Sequence, residues 1–196
     1  VTVGQYISFA GKGMQDSPST TFRADDLNFP VSGISWEDAT DVCRRLTDRE
    51  REAGTLPEGY VYRLPTNAEW EYACRAGTTN RFSYGDDPDY SALDKFAWYR
   101  GNSGGSIHPV GSKLPNPLGL YDMHGNAHEW ILDLLQYAGG NVTNPVGSLT
   151  GRFRASRSGG WESVPEACRS AFRHSGIDSR RIVGYGFRVA LAPPLS

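Results

Sequence analysis

Arg157-Ser158-Gly159-Gly160-Trp161 runs on to Cys168-Arg169-Ser170-Ala171-Phe172-Arg173 and closes at Gly186-Phe187-Arg188-Val189. This stretch decides the reading of the chain. Arg154-Ala155-Ser156-Arg157, Ala171-Phe172-Arg173 and Gly186-Phe187-Arg188-Val189-Ala190-Leu191 look like short strands converging on one sheet. Between the first two lie a Gly-Gly-Trp turn and a single cysteine, Cys168, with Ser163 five residues before it. Arg152, Arg154, Arg157, Arg169, Arg173, Arg180, Arg181 and Arg188 outnumber Glu162, Glu166 and Asp178, so the local balance is positive. Arginine forks take carboxylates bidentately. Arg169, Arg173 and Arg188 read as loop pins, because buried charge is costly unless paired. Trp161, Glu162, Ser163, Phe172, His174, Arg180, Arg181 and Tyr185 read as a ligand-facing set, since Trp, Tyr and Arg are enriched where binding energy concentrates.

Upstream, two helices are legible. Ser35 is a good N-cap with Asp38 three residues on, and Trp36, Ala39, Val42, Cys43 and Leu46 then form one apolar stripe that ends before Gly54. Thr66 repeats that logic with Glu69 as its partner. Trp70, Ala73 and Cys74 face inward, and Gly77 stops the helix. Tyr60 to Leu64 alternates like a strand. From Asn80 to Asn116 the chain is aromatic and rich in Gly and Pro without helical period, an ordered loop region of a length that goes with binding or function. Gly119 to Trp130 reads as dense turns, and residues 134 to 151 as an exposed excursion. The expected class is α+β: two helices on a small twisted, mainly antiparallel sheet with extensive irregular loops.

At 196 residues the chain suits one domain, 1–196. A net charge of -2 gives no polyelectrolyte footprint, which argues against nucleic acid as a partner. No apolar run is long enough to cross a membrane, and no signal peptide is visible. Cys43, Cys74 and Cys168 make an odd count without a CxxC pair, against a disulfide framework or a cysteine-rich zinc site. Asn141-Val142-Thr143 fits a glycosylation sequon and reads as coincidence. His124 and His128 are four apart with Glu129 adjacent, but Gly125 and Asn126 oppose a zinc helix and no third ligand is evident.

Several segments together resemble the formylglycine-generating enzyme (sulfatase-modifying factor) family. They are Val1 to Tyr6, Val31 to Ala39, Arg63 to Gly77, His108-Pro109-Val110-Gly111, Gly119 to Trp130 and the C-terminal stretch above. The resemblance implies a variant of the C-type lectin fold. Such domains begin some tens of residues before the Val1 segment, so it also implies a shortened N-terminus. Enzymes of the family hold copper(I) between two cysteines and oxidise a substrate cysteine to formylglycine. Cys168 matches the second of the pair and Ser163 stands at the first. A hydroxyl is a poor ligand for a soft ion, which argues against Cu(I). Cys43 and Cys74 match positions that are disulfide-bonded in secreted members. Their partner positions here are Val189 and Arg173, so both thiols are expected free, as suits a bacterial or reducing setting.

The family's calcium site matches Gly125 to Glu129. There Gly125 and Ala127 would offer carbonyls, Glu129 its carboxylate and Asn126 a further oxygen, all hard ligands suited to Ca2+. The alternative is a metal-free turn with Glu129 salt-bridged to an arginine. His128 stands where the family usually has Trp.

Two functions follow. One is a non-catalytic module binding a protein, peptide or glycan. A narrower form is a variable protein of a diversity-generating retroelement, with Glu162 to Val164, Phe172, His174 to Ile177 and Ser179 to Tyr185 as the diversified positions. The other is an oxidase with an altered metal site, or a relative of the iron-dependent sulfoxide synthases, whose iron site comes mostly from a partner domain.

Overall fold

The computed structural model describes residues 1–10, 27–134, 145–149, 153–174 and 181–195. The sequon at Asn141, most of the 134–151 excursion, Arg152, residues 175–179 and Arg180 lie outside that description. Helix α1 (Val3–Ala10) opens the chain and α2 (Trp36–Glu52) follows. Strand β1 (Val61–Arg63) then leads into α3 (Asn67–Arg75). Two short 3-10 turns, Leu93–Lys95 and Pro165–Cys168, punctuate the loops. The remaining strands are β2 (His128–Leu134), β3 (Arg154–Arg157), β4 (Tyr185–Phe187) and β5 (Ala190–Ala192).

Both expected helices start at full capping boxes. The Ser35 hydroxyl accepts from the Asp38 N–H while the Asp38 carboxylate accepts from the Ser35 N–H, and Thr66 with Glu69 does the same. Gly54 and Gly77 take the left-handed backbone just past the two helix ends. A third helix, α1, is present where none was expected. It is held by Val3 and Tyr6 in the core and by Val3 N–H donating to the Phe29 carbonyl at 2.9 Å.

The strands do not converge on one sheet. β1 and β5 form an antiparallel pair, while β2 lies between β3 and β4 in a three-stranded sheet that pairs antiparallel with β3 and parallel with β4. The run 186–191, expected as one strand, is therefore split at Arg188 and Val189 between two sheets. The expected strand at Ala171–Arg173 is instead a turn and extended chain, and only His174 bridges to Ser156.

The largest correction is β2 itself, read in sequence as turns through Trp130. It is buried on both faces, so no alternation of polar and apolar residues shows. On one face Trp130 joins a core of Tyr6, Val31, Ile34, Val42, Leu64 and Phe187. On the other, Ile131 packs with Trp70, Cys74, Met123 and Ala155. The strand's polar groups are satisfied inside. The Ile131 carbonyl accepts from the Trp36 indole N–H at 2.7 Å, and the Asp133 carboxylate accepts the Asn67 N–H at the start of α3 at 2.6 Å. A third cluster, Phe82, Leu93, Ala97 and Cys168, lies under the C-terminal signature. Among the described residues no helix is long and apolar enough to cross a membrane.

Candidate recognition face and the cysteine pocket

The Gly159-Gly160-Trp161-Glu162-Ser163 turn is fixed from three sides. Gly159 and Gly160 are required by close approach. A Cβ on the first would meet the Cys168 sulfur at 2.7 Å, and one on the second would meet the Glu162 carboxylate and the His128 ring at 2.7 Å. The Ser163 hydroxyl accepts from the Gly160 N–H at 2.9 Å. The Trp161 N–H donates to the Asn126 carbonyl and the Ser103 hydroxyl to the Trp161 carbonyl. Arg100 donates its backbone N–H to the Ser163 carbonyl at 3.0 Å and its Nε to the Glu162 carbonyl at 2.9 Å.

His128, 3% exposed, links this turn to β2. Its Nε2 lies 3.0 Å from Glu162 Oε1 and its Nδ1 3.1 Å from the Ser158 carbonyl. Its ring also packs against His174 at 4.2 Å and Tyr185 at 4.7 Å between centroids, and Phe172 sits 4.8 Å from His174. Burial pushes the Glu162 carboxyl up, but the His128 hydrogen bond and neighbouring charges outweigh it and hold the group below its ordinary value. Burial, with His128 beside it, pulls His174 down to about 4. Glu162, His174 and Tyr185 gather around His128, Phe172 packs on His174 and Trp161 adjoins Glu162 on the turn, all of them half-buried. Arg181 has its fork committed to Asp38 at 2.8 and 3.0 Å. Arg100 was not singled out from the sequence, because it reaches the turn across 62 positions through backbone carbonyls.

Arg157, not among the arginines read as loop pins, is the most deeply buried arginine of the signature. Arg157 is 1% exposed and binds Glu71, Asn67 and the carbonyls of Ser170 and Phe172. Arg188 binds Glu129 with both arms. Arg169 donates Nε to the Glu166 carbonyl.

Cys168 is 1% exposed, and its sulfur lies 3.6 Å from the Val164 carbonyl. Burial, reinforced by the charges of Glu166 and Glu162, pushes its thiol up to about 12. Ser163 is buried beside the same turn with its hydroxyl engaged. All three cysteines are free and buried. His124 points elsewhere than His128. It sits among Ser83, Cys74 and the Cys168 carbonyl, and burial pulls it down to about 4. Among the described residues no group of three or more His, Cys, Asp or Glu side chains could hold a metal.

Within the Gly125–Glu129 segment, Gly125, Asn126 and Glu129 use their oxygens within the protein. The Glu129 carboxylate takes the Trp70 indole N–H at 2.6 Å and both arms of Arg188 at 2.6 and 2.7 Å. The Gly125 carbonyl accepts from Ala127, and the Asn126 side chain is bound reciprocally to the His108 backbone. So arranged, these residues do not fit a calcium ion unless Arg188 leaves Glu129. Among the described residues, Asp122 Oδ1 is a buried oxygen nearby without a hydrogen-bond partner.

Residues 1–193 match the family model described as the sulfatase-modifying factor enzyme 1-like domain. The chain belongs to that family. Over 167 residues this sulfatase-modifying-factor-like domain is 37% identical to the serine/threonine-protein kinase pkn1 of Chlamydia caviae, covering 82% of the chain and 24% of that protein. It is 33% identical to the formylglycine-generating enzyme of Streptomyces coelicolor, covering 83% of the chain and 52% of the enzyme. The domain thus spans about a quarter to a half of these relatives. Among solved structures it is similar to Treponema denticola variable protein 1, with a TM-score of 0.77 at 24% identity, covering 99% of this chain and 82% of that one. That likeness establishes the shared α+β formylglycine-generating-enzyme fold.

Proposed function

We propose that this domain is a non-catalytic recognition module, binding a protein, peptide or glycan on the face around Trp161, Glu162, Phe172, His174 and Tyr185. The observation that carries the reading is chemical. The family's copper chemistry needs two thiolates, and here Ser163 supplies a hydroxyl already bonded to Gly160 while the Cys168 thiol is buried and pushed up to about 12. Around that silent pocket the chain gathers aromatic and polar side chains from β2, the signature turn and β4 onto a fixed scaffold, as a binding module does.

The test is an anaerobic Cu(I) titration with turnover on a cysteine-bearing peptide. No tight stoichiometric copper binding and no aldehyde are expected. Tight binding abolished by Cys168→Ser would revive the alternative, an oxidase with an altered metal site.

A narrower reading is favoured by one observation. Glu162, His174 and Tyr185, distant in sequence, meet around His128. They fall in the stretches that a retroelement-diversified variable protein would vary, and one structural neighbour carries the name variable protein 1. A nearby template repeat with adenine-directed differences at those codons supports this form, and a lone gene removes it.

A further inference from the structure

Arg100 is held differently from the other arginines of the face. Its backbone N–H and Nε are both fixed to carbonyls of the signature turn, Ser163 at 3.0 Å and Glu162 at 2.9 Å. Among the described residues the rest of its guanidinium makes no hydrogen bond or ion pair, and the residue is exposed. A fork tied down at Nε has already lost most of its rotamer freedom, so little more is lost when its two outer nitrogens engage a planar oxyanion. By contrast Arg157, Arg181 and Arg188 are committed to Glu71, Asp38 and Glu129.

The charge balance follows. Glu162 Oε1 faces His128 at 3.0 Å, so that carboxylate is directed inward. Glu166 is the exposed acid on the loop, and among the described residues it makes no ion pair with exposed Arg100. Half-buried Trp161 and exposed Val164 and Val183 supply apolar surface alongside. Bidentate arginine beside an aromatic anchor suits a carboxylate flanked by apolar side chains.

We infer that Arg100 forms a subsite for acidic side chains of a peptide segment of a partner protein, beside Trp161. This rests on the recognition reading above and names the chemistry of its ligand.

The experiment uses the 196-residue chain and three fluorescein-labelled twelve-residue probes, (Glu-Ala-Leu)4 and its Gln and Lys counterparts, followed by anisotropy at 20 and 150 mM NaCl. The acidic probe should bind at least about tenfold more tightly than the other two, a difference of roughly 1.4 kcal/mol, and more weakly at the higher salt. Arg100→Gln should cost about tenfold. Arg100→Lys, which keeps the charge and loses the fork, should fall between, and Arg51→Gln on α2 should bind like the native chain. Unchanged melting temperatures show that the variants fold. No acidic-probe binding at 1 mM, equal binding of the Gln probe, preference for the Lys probe, or indifference to Arg100→Gln each overturns the subsite. If acidic-probe binding survives both Arg100→Gln and Trp161→Ala, the face itself is not the site and the broader reading falls with it. If Trp161→Ala abolishes binding while Arg100→Gln does not, only the subsite fails.

Discussion

Arg157→Met is the sharpest test of how the signature is held in place. The guanidinium is 1% exposed and lies over Trp70, with 5.5 Å from its Cζ to the ring centroid. It donates to Glu71 at 2.7 Å, to the carbonyls of Ser170 and Phe172 at 2.9 and 3.2 Å, and to Asn67 Oδ1. Methionine fills much of the stem's volume, so packing changes little. The polar groups then lose their donor, and Glu71 keeps Arg75 alone. Removing one partner of a buried pair costs about 3–5 kcal/mol. A chain of this size loses about 2–4 °C per kcal/mol, so the melting temperature should fall by roughly 10 °C. Arg157→Lys keeps the charge for Glu71 without the fork and should lose about half as much. Thermal melts by circular dichroism, with urea midpoints at constant m-value, provide the readout. Glu71→Gln combined with Arg157→Met should be less than additive, because the two residues share one interaction. A melt of Arg157→Met within about 2 °C of the native chain refutes the idea that this side chain pins the recognition loop to α3.

Other outcomes follow from the same geometry. Burial pushes the Cys43, Cys74 and Cys168 thiols up to about 12. Ellman's reagent at pH 8 should therefore find almost no thiol in the native chain and three equivalents in guanidinium, and rapid native labelling of Cys168 would contradict the inert pocket. Acid should weaken the fold through His124 and His174, which burial lowers from 6.5 to about 4. Unfolded histidines bind protons below pH 6.5 that the folded ones refuse, so stability is lost as pH falls from 6.5 toward 4. The loss is on the order of 3 kcal/mol for buried His124 and less for the partly solvated His174. Urea midpoints across that window test the slope, which His174→Asn should flatten in part. Calcium at 1 mM, against EDTA, should move the melting temperature by less than about 1 °C, since Arg188 already neutralises Glu129. A rise of several degrees would mean that the ion displaces Arg188.

The legible parts of the fold were those whose signals are local. Ser35 with Asp38 and Thr66 with Glu69 announce their helices within four residues, and the structure closes both capping boxes. β2 carries no such signal, because its period is erased by burial on both faces. The split of the 186–191 run is equally nonlocal. It depends on Arg188 being drawn to Glu129, 59 positions away, while Ala190 onward pairs with β1. The recognition face divides the same way. Trp161, Glu162, His174 and Tyr185 stand out by residue type. Arg181 stands out too, yet its fork is bound to Asp38, 143 positions away. Arg100 stands out by nothing in its own neighbourhood.

The alternation of β2 joins these observations. His128 and Trp130 point to one side, His128 to the signature turn and Trp130 to the core under α2. Glu129 and Ile131 point to the other, where Glu129 binds Trp70 and Arg188 and Ile131 packs beside α3. One strand thus anchors the signature turn on one face and the charged scaffold on the other. Adjacent residues, His128 and Glu129, therefore answer to different demands. A family scaffold can exchange the side chain at 128, here a histidine, to reshape what the turn presents while the Glu129–Arg188 pair keeps β2 and the end of β4 in register. Under the proposed function, this division would let recognition change on an unchanged fold.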